Sequence, residues 1–559
     1  MNGFRKKFFT FFILLFAGLY TAGMTTQDTV SFDILFINGR ILDGTGNPWF
    51  YADIGIQNGI IAAIGDLKDK SSAKQIINIK GKIICPGFID SHTHAYDPVT
   101  GENVWTGKDE KRFFAPNFIS QGVTTVISNQ CGYSPLSIKT QREVLTKKGI
   151  GPNTVLMIGH NAIRRSILKN DFRRPASPEE IEAMKALVHR AMEDGAGGLS
   201  TGLEYVPCIW STKDEIIALV KEIVPFGGVY QVHERASGLT PMWYVPSRDE
   251  PSPPTMLENI IELIQVNKKT GARVIATHIK ARGADFWGGS RIINRMITEA
   301  RNNGIDIWAD GYPYTTSGSD GSTVIIPGWA LKKPDAASLK TILADPDKKK
   351  SLIQDILHNL NWRGGPENIL VMEHPDPDLI GKSLAFLAEK WNLSPEEAVI
   401  KLQLEGDPEK RGGARLRGFS MAEIDVEAFA AQPWTATCSD AGIALPEDGP
   451  VHPRYYGTFP RKIRRYALER KAISLENAVR SSTSLPALIH SLDKRGLLRE
   501  GFWADIVVFD LEKIKDTATV FEPHQYASGI EYVLVNGTFV VQNGELTWAK
   551  PGRVLCPHL

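Results

Sequence analysis

Short apolar segments alternate with amphipathic stretches through the middle of the chain, and this alternation constrains the fold most strongly. It is typical of a parallel α/β sheet. Eight such units predict a TIM-like (β/α)8 barrel, although periodicity also leaves a doubly wound open sheet as an alternative. The predicted strands cover residues 82–89, 123–129, 154–160, 198–202, 229–233, 273–278, 305–310 and 435–439. Helical stretches between them include residues 177–194, 212–225 and 254–270.

Both ends of the chain contain short strands joined by tight turns. Residues 33–43 form a strand, Asn-Gly turn and strand pattern, which returns at 51–65 and again at 504–510 and 532–537. We therefore expect the two ends to form one small β-sandwich beside the barrel.

The pattern loosens between Tyr314 and Trp434, and this stretch is too long for a simple loop. It predicts an insertion subdomain within the barrel. The expected domains are a β-sandwich from residues 30–84 and 489–559, and a barrel from 85–488 with its insertion at about 320–430.

The N-terminus has the pattern of a targeting segment. Arg5, Lys6 and Lys7 precede an apolar run at 8–19, and small residues follow. This arrangement predicts a signal peptide at 1–23 and a secreted or periplasmic protein with no stable membrane span after processing. A single spanning anchor is the alternative, but the run is short for a bilayer crossing.

The charge balance indicates what kind of partner the protein binds. The 559 residues contain 64 basic and 63 acidic side chains, for a net charge of +1. No basic field is present to hold nucleic acid, so we expect a small-molecule substrate bound in a pocket. Oligomeric state does not follow from the sequence.

Polar residues that can carry chemistry come at the carboxyl ends of the predicted strands, where barrel enzymes place their active sites. His92 and His94 follow the first strand, and residues two apart in a strand face the same side. Each residue alone is more often a core or loop side chain than a ligand. Together, however, histidine nitrogens and a cysteine thiolate form a set that suits zinc. The predicted ligands are His92, His94, Cys131, His233 and His278.

Asp440 follows the eighth strand, where a carboxylate could move a proton to and from a reacting water. A loop-capping role is the alternative. His160 also ends a strand, where a role beside the substrate and a plain core role are both open. Cys438 is expected to contribute packing only.

Several strings at or near these residues resemble the amidohydrolase superfamily and, within it, the D-aminoacylase (N-acyl-D-amino-acid deacylase) family. The string from Pro86 to His94, Pro-Gly-Phe-Ile-Asp-Ser-His-Thr-His, is common to the superfamily. The narrower match lies in the strings 122–132, 195–207, 310–314 and 452–460, and it covers almost the whole chain from Asp33 onward.

The resemblance implies a barrel with a β-sandwich and a zinc site built partly from cysteine. Cys131, His233 and His278 would hold one tight zinc ion, and His92 and His94 would face a second, weaker or partly filled position. Asp440 would be the general acid and base. A substrate with a free carboxylate would be held by Arg454, Lys280 and Tyr312, with Tyr205 lining the pocket.

Some positions depart from the family pattern. Ala95 and Tyr96 stand where acidic residues are frequent, and Gly318 stands where a serine that contacts the substrate is expected. The segment 441–451 is also longer than usual. These differences affect the preferred side chain rather than the hydrolytic chemistry.

The predicted function is zinc-dependent amide hydrolysis, most simply the deacylation of N-acyl-D-amino acids or cleavage of dipeptides with a C-terminal D residue. Two alternatives stay open: a cyclic-amide hydrolase of the dihydroorotase or hydantoinase kind, and a non-catalytic binding protein on the same scaffold.

Overall fold

The computed structural model describes residues 31–69, 71–94, 105, 109–318, 323–332 and 335–558. The predicted signal peptide at 1–23 lies outside these residues, as do Ala95 and Tyr96. Within the described part of the chain, no helix is long and apolar enough to span a bilayer.

Strands and helices alternate through the middle of the chain. The strands are β1 Ser31–Ile41, β2 Phe50–Gln57, β3 Ile60–Gly65, β4 Ser72–Asn78, β5 Ile83–Pro86, β6 Phe88–Asp90, β7 Thr93–His94, β8 Val123–Ser128, β9 Asn153–Leu156, β10 Ile158–Gly159, β11 Gly198–Gly202, β12 Val229–His233, β13 Arg273–Ala276, β14 Ile307–Gly311, β15 Ile369–Glu373, β16 Arg415–Gly418, β17 Thr435–Thr437, β18 Ala441–Gly442, β19 Ile506–Phe509, β20 Ile530–Val535, β21 Thr538–Gln542, β22 Glu545–Leu546 and β23 Val554–Leu555. The helices are α1 Glu110–Phe114, α2 Pro116–Ile119, α3 Ile138–Lys148, α4 His160–Leu168, α5 Pro178–Glu193, α6 Lys213–Ile223, α7 Met256–Thr270, α8 Ser290–Asn302, α9 Asp335–Leu343, α10 Pro346–Trp362, α11 Leu384–Trp391, α12 Pro395–Glu405, α13 Glu423–Ala430, α14 Arg454–Arg461, α15 Leu475–Ser482 and α16 Ser484–Ile489.

Eight parallel strand positions form the barrel. One sheet runs β6-β8-β9 and a second runs β10-β11-β12-β13-β14-β17, with Met157 alone separating β9 from β10. The ring closes where β7 pairs with β18 in parallel and the Ser91 N–H donates to the Thr437 carbonyl at 3.3 Å. The predicted (β/α)8 barrel is confirmed, and the doubly wound alternative is wrong because an open sheet would leave this edge unpaired.

The outer helices begin at side-chain caps that the sequence provides. Ser177 and Glu180 form a capping box at the start of α5, and Thr255 and Glu258 form one at α7. Apolar residues on one face of α5, such as Met184, are fully buried against the barrel core. Capping and amphipathic spacing together account for helices at these places.

Strands from both chain ends form one nine-stranded sheet, ordered β22-β21-β20-β19-β5-β1-β2-β3 with β4 beside β1. The two chain ends join where β19 pairs antiparallel with β5, and in this pairing Val507 lies opposite Cys85. The last strand, β23, instead pairs in parallel with β9 of the barrel. Strand β5, which belongs to this sheet, therefore ends two residues inside the segment predicted as barrel. Strand β23, predicted as part of the sandwich, pairs with a barrel strand instead. The exact domain boundaries stay predictions.

The insertion between β14 and β17 has its own apolar core, which runs from Ile325 to Leu416 and includes residues of α9 to α12. The following helix, α13, belongs instead to the barrel. Its Asp425 carboxylate accepts hydrogen bonds from the backbone N–H groups of Gly288 and Ser290, at 2.8 and 3.1 Å, where α8 begins. The predicted interval of about 320–430 therefore includes one barrel helix.

Candidate metal centre and active site

Six polar side chains from five strand ends meet at one end of the barrel. Cys131 Sγ lies 3.5 Å from Nε2 of His92, 3.6 Å from Nδ1 of His233 and 3.7 Å from Nε2 of His278. His94 Nε2 lies 3.3 Å from His92 Nε2 and 2.9 Å from Oδ1 of Asp440. The structure thus brings all five predicted ligands and the predicted base together, although the sequence separates them by up to 348 positions, from His92 to Asp440.

Three overlapping groups in this cluster could hold a metal ion, each with its ligand atoms within 4.8 Å of one another. They are Cys131 with His233 and His278, His92 and His94 with Cys131, and His92 and His278 with Asp440. His92, Cys131 and His278 each belong to two groups. The geometry therefore suits one metal position and an adjacent second one.

The protonation states fit a metal. Burial lowers the pKa of His92 and of His278 well below the usual value, so both imidazoles are neutral and keep a free lone pair. Burial raises the pKa of the Cys131 thiol well above its usual value. A buried thiolate therefore needs a cation beside it, and nitrogen and sulfur donors are the set that zinc prefers.

Three of these residues have left-handed backbone conformations, which are rare outside glycine: φ is 54° at Cys131, 36° at His278 and 54° at Asp440. Each such conformation costs on the order of 1–3 kcal/mol and needs support from its surroundings. The His278 N–H donates to Oδ1 of Asp310 at 2.5 Å, and the Asp440 N–H donates to the His92 carbonyl at 3.0 Å. The fold thus fixes the direction of the ligands before any metal binds.

Buried partners also orient the histidine rings. Oε2 of Glu204 lies 2.9 Å from Nε2 of His233, which leaves Nδ1 facing Cys131. Thr277 Oγ1 lies 2.6 Å from Nδ1 of His92 and donates to the Asp310 carboxylate at 2.8 Å. Such partners fix the tautomer of a ligand and raise its basicity. The sequence alone did not predict these roles of Glu204, Thr277 and Asp310, although Glu204 and Asp310 lie within the strings that resemble the family.

The Asp440 carboxylate lies between the ligand cluster and an arginine. Oδ1 faces His94, and Oδ2 lies 2.9 Å from Nη1 of Arg454. Burial would raise the pKa of Asp440, but the Arg454 cation and the hydrogen bond with His94 outweigh it and hold that pKa well below its usual value. Asp440 is therefore an anion that can accept a proton beside the metal position.

The predicted carboxylate-binding residues lie next to this pair. The ring of Tyr312 is 4.8 Å from the Arg454 guanidinium and 5.2 Å from the Lys280 ammonium. Among the described residues, neither the Tyr312 hydroxyl nor the Arg454 Nε has a hydrogen-bond partner, although both atoms are buried. Tyr205 is half-buried with its ring centroid 4.3 Å from that of His233. All four predicted substrate-binding residues thus border the cluster.

Two other candidates belong to none of the three candidate ligand groups. Nε2 of His160 is 2.9 Å from Glu215, which also binds Arg164, so this histidine belongs to a fully buried ionic group behind the site. Cys438 is fully buried in the core, in agreement with a packing role.

Known proteins with similar sequences match almost the whole chain. D-aminoacylase from Alcaligenes xylosoxydans xylosoxydans is 32% identical over 95% of this chain and 99% of its own. The chain belongs to the D-aminoacylase family. Two further family members from that organism, N-acyl-D-glutamate deacylase and N-acyl-D-aspartate deacylase, are each 30% identical over 94% of this chain and 96% and 95% of their own. Residues 411–541 also match the amidohydrolase family.

Solved structures of the D-aminoacylase family share the architecture. A D-aminoacylase crystal structure matches 94% of this chain and 99% of its own with a TM-score of 0.71 at 31% identity. N-acyl-D-glutamate deacylase from Bordetella bronchiseptica, complexed with zinc and a phosphonate inhibitor, matches 94% and 100% with a TM-score of 0.70 at 28% identity. Hydantoinases match at TM-scores near 0.5 and 15–18% identity, which shows the shared fold alone. This membership and the ligand cluster support a metal cofactor.

Proposed function

We propose that this protein is a zinc-dependent hydrolase that removes the acyl group from N-acyl-D-amino acids. The observation that carries the proposal is the position of Asp440, which contacts both the candidate ligand His94 and the cation of Arg454. A proton acceptor beside a metal position and an anchor for a carboxylate are the two parts that this reaction needs.

In this proposal Cys131, His233 and His278 hold the tighter zinc ion, and His92 and His94 face the second position. Zinc, when bound, supplies Lewis acidity for hydrolysis of the amide. Asp440 takes the proton of the attacking water on its carboxylate and then delivers it to the leaving nitrogen. Its low pKa keeps it ionised between turnovers.

Arg454, Lys280 and Tyr312 hold the α-carboxylate of the substrate. Arg454 offers a forked donor and Lys280 a point charge, while the Tyr312 hydroxyl is buried and available to donate. Fixing the carboxylate and the acyl carbonyl leaves one direction for the side chain at Cα, which sets the choice between D and L substrates. The same clamp accommodates a dipeptide with a C-terminal D residue, whereas a neutral cyclic amide gives these cations no partner.

We also propose that the mature protein is secreted or periplasmic. The support is the basic start and apolar run within 1–23. N-terminal sequencing of protein from the exported fraction tests this, and an intact residue 1 on intracellular protein would contradict it.

Hydrolysis of N-acetyl-D-amino acids, their L counterparts and L-D dipeptides by purified protein tests the reaction, with zinc added and with zinc chelated. We expect zinc-dependent release from D substrates only. Turnover of hydantoins in place of the acyl amino acids would favour the cyclic-amide alternative.

A further inference from the structure

A third buried cation, besides Lys280 and Arg454, lies near the site and has no role in the proposed mechanism. Arg282 is in the loop after β13, and only 5% of its surface is exposed. Its guanidinium stacks on Trp362 at 4.6 Å, and its Nη2 donates to Oγ of Ser317 at 3.0 Å. The buried Nε atom has no hydrogen-bond partner among the described residues.

The backbone also fixes Arg282 in place. Its N–H donates to the Ser237 carbonyl at 2.9 Å, and the residue forms β-bridges to Gly238 and to Met421. The loops after two neighbouring barrel strands and the segment before α13 therefore meet at this position. Burial of the backbone and the Trp362 stack leave the guanidinium little freedom to reach solvent.

The charge of Arg282 has no counter-ion nearby in the described part of the chain. Among the described residues, no carboxylate oxygen lies within 4.0 Å of the Arg282 guanidinium or of the Lys280 ammonium. Arg454, by contrast, pairs with Asp440 at 2.9 Å. A buried charge without a counter-ion is costly. One substrate carboxylate can neutralise Lys280, which leaves Arg282 in need of a second anion.

Arg282 lies on the loop that also carries part of the substrate clamp. Lys280 precedes it by two residues, and Met421, which forms a β-bridge with Arg282, packs in one cluster with Tyr312. A short side chain on a ligand held by Lys280 and Tyr312 can therefore extend toward Arg282.

We propose that Arg282 binds a carboxylate on the side chain of the substrate, so that the preferred substrates are N-acyl derivatives of acidic D-amino acids. This inference rests on the proposed function and specifies its substrate. The unpartnered Nε and the neighbouring Nη can form a two-point contact with a carboxylate, which a neutral side chain cannot replace.

The test compares kcat/KM for N-acetyl-D-glutamate, N-acetyl-D-aspartate, N-acetyl-D-leucine and N-acetyl-D-methionine in the wild type, Arg282→Met and Arg282→Lys. We expect the wild type to favour the acidic pair. Arg282→Met should lower kcat/KM for the acidic pair by about 10- to 100-fold, as for loss of hydrogen bonds to a charged group, and leave the neutral pair within about threefold. Arg282→Lys should give an intermediate loss on the acidic pair.

Arg248→Met is the matched control, because Arg248 also stacks on a tryptophan of the insertion, Trp329, at 4.2 Å. It should leave the acidic preference unchanged. Thermal unfolding reports on folding, and if Arg282→Met does not fold, the selective loss in Arg282→Lys decides. A wild type that prefers neutral D substrates, or equal losses on all four, would overturn the inference alone. Failure to hydrolyse any D substrate would overturn the proposed function itself.

Discussion

Oδ2 of Asp440 lies 2.9 Å from Nη1 of Arg454, and the two side chains form a buried ion pair at the edge of the ligand cluster. The other oxygen of the same carboxylate faces His94. One residue therefore connects the metal position with the substrate clamp, and substitutions on the two sides should have separable effects.

Asp440→Asn should lower kcat by about 100- to 10,000-fold, because the amide cannot accept the proton of the attacking water. Asparagine tolerates the left-handed backbone found here, so the fold should persist. Steady-state kinetics with metal analysis checks this. Asp448→Asn, which removes a carboxylate bound to Arg112 instead, is the control. Near-full activity of Asp440→Asn at normal metal content would contradict the assigned role.

Cys131→Ser should weaken metal binding by about 100-fold or more, since loss of an outer partner alone costs about 10- to 100-fold. Its sulfur lies within 3.7 Å of nitrogens on three other candidate ligands, His92, His233 and His278. Competition with a chelator measures the affinity. Cys208→Ala removes a buried cysteine outside the cluster and should bind metal normally.

Asp310→Asn should weaken metal binding by about 10- to 100-fold without removing a ligand. Asp310 accepts hydrogen bonds from Thr277, which orients His92, and from the backbone of His278. Asp355→Asn is a suitable control, because this buried carboxylate accepts from Ser247 and Trp329 in and near the insertion. Equal metal affinity in both variants would show that Asp310 is dispensable for ligand orientation.

Arg454→Lys should raise KM by about 10- to 100-fold, because lysine keeps the charge but loses the forked contact to a carboxylate. Arg461→Lys, one to two turns later in the chain, replaces an arginine that pairs with Asp516 away from the cluster. Saturation kinetics on the preferred substrate distinguishes the two. A KM unchanged in Arg454→Lys would leave this guanidinium without its assigned substrate contact.

Lys462→Met should stabilise the protein near neutral pH. Burial lowers the pKa of Lys462 to about 7, and its Nζ donates to Oγ1 of Thr437 at 2.7 Å. Between about pH 7 and about pH 10.5 the unfolded chain holds this proton while the folded chain does not, so wild-type stability rises with pH. Removing the amine should therefore add about 1–3 kcal/mol at about pH 7 and less at about pH 10.

Urea unfolding at the two pH values measures this difference in the free energy of unfolding. Lys349→Met, on an exposed position of α10, should show no comparable pH-dependent gain. A Lys462→Met variant less stable than the wild type at the lower pH would show that the hydrogen bond to Thr437 outweighs the cost of burying the amine.

The sequence by itself determined the barrel and the convergence of His92, His94, Cys131, His233, His278 and Asp440. The physical reason is local: strand and helix periodicities are short-range, and the carboxyl ends of parallel strands necessarily meet at one end of a closed barrel. Residues placed just after those strands are therefore neighbours whatever their separation along the chain.

Tertiary structure decided the partners behind and around these residues. Glu204 orients His233, Glu215 binds His160, and Arg282 stacks on Trp362 of the insertion. Tertiary contacts also decided that α13 packs with the barrel rather than with the insertion, through the hydrogen bond between Asp425 and Ser290. Each depends on the path of a loop and on which side chain fills a given space, and these contacts join positions that no sequence periodicity relates.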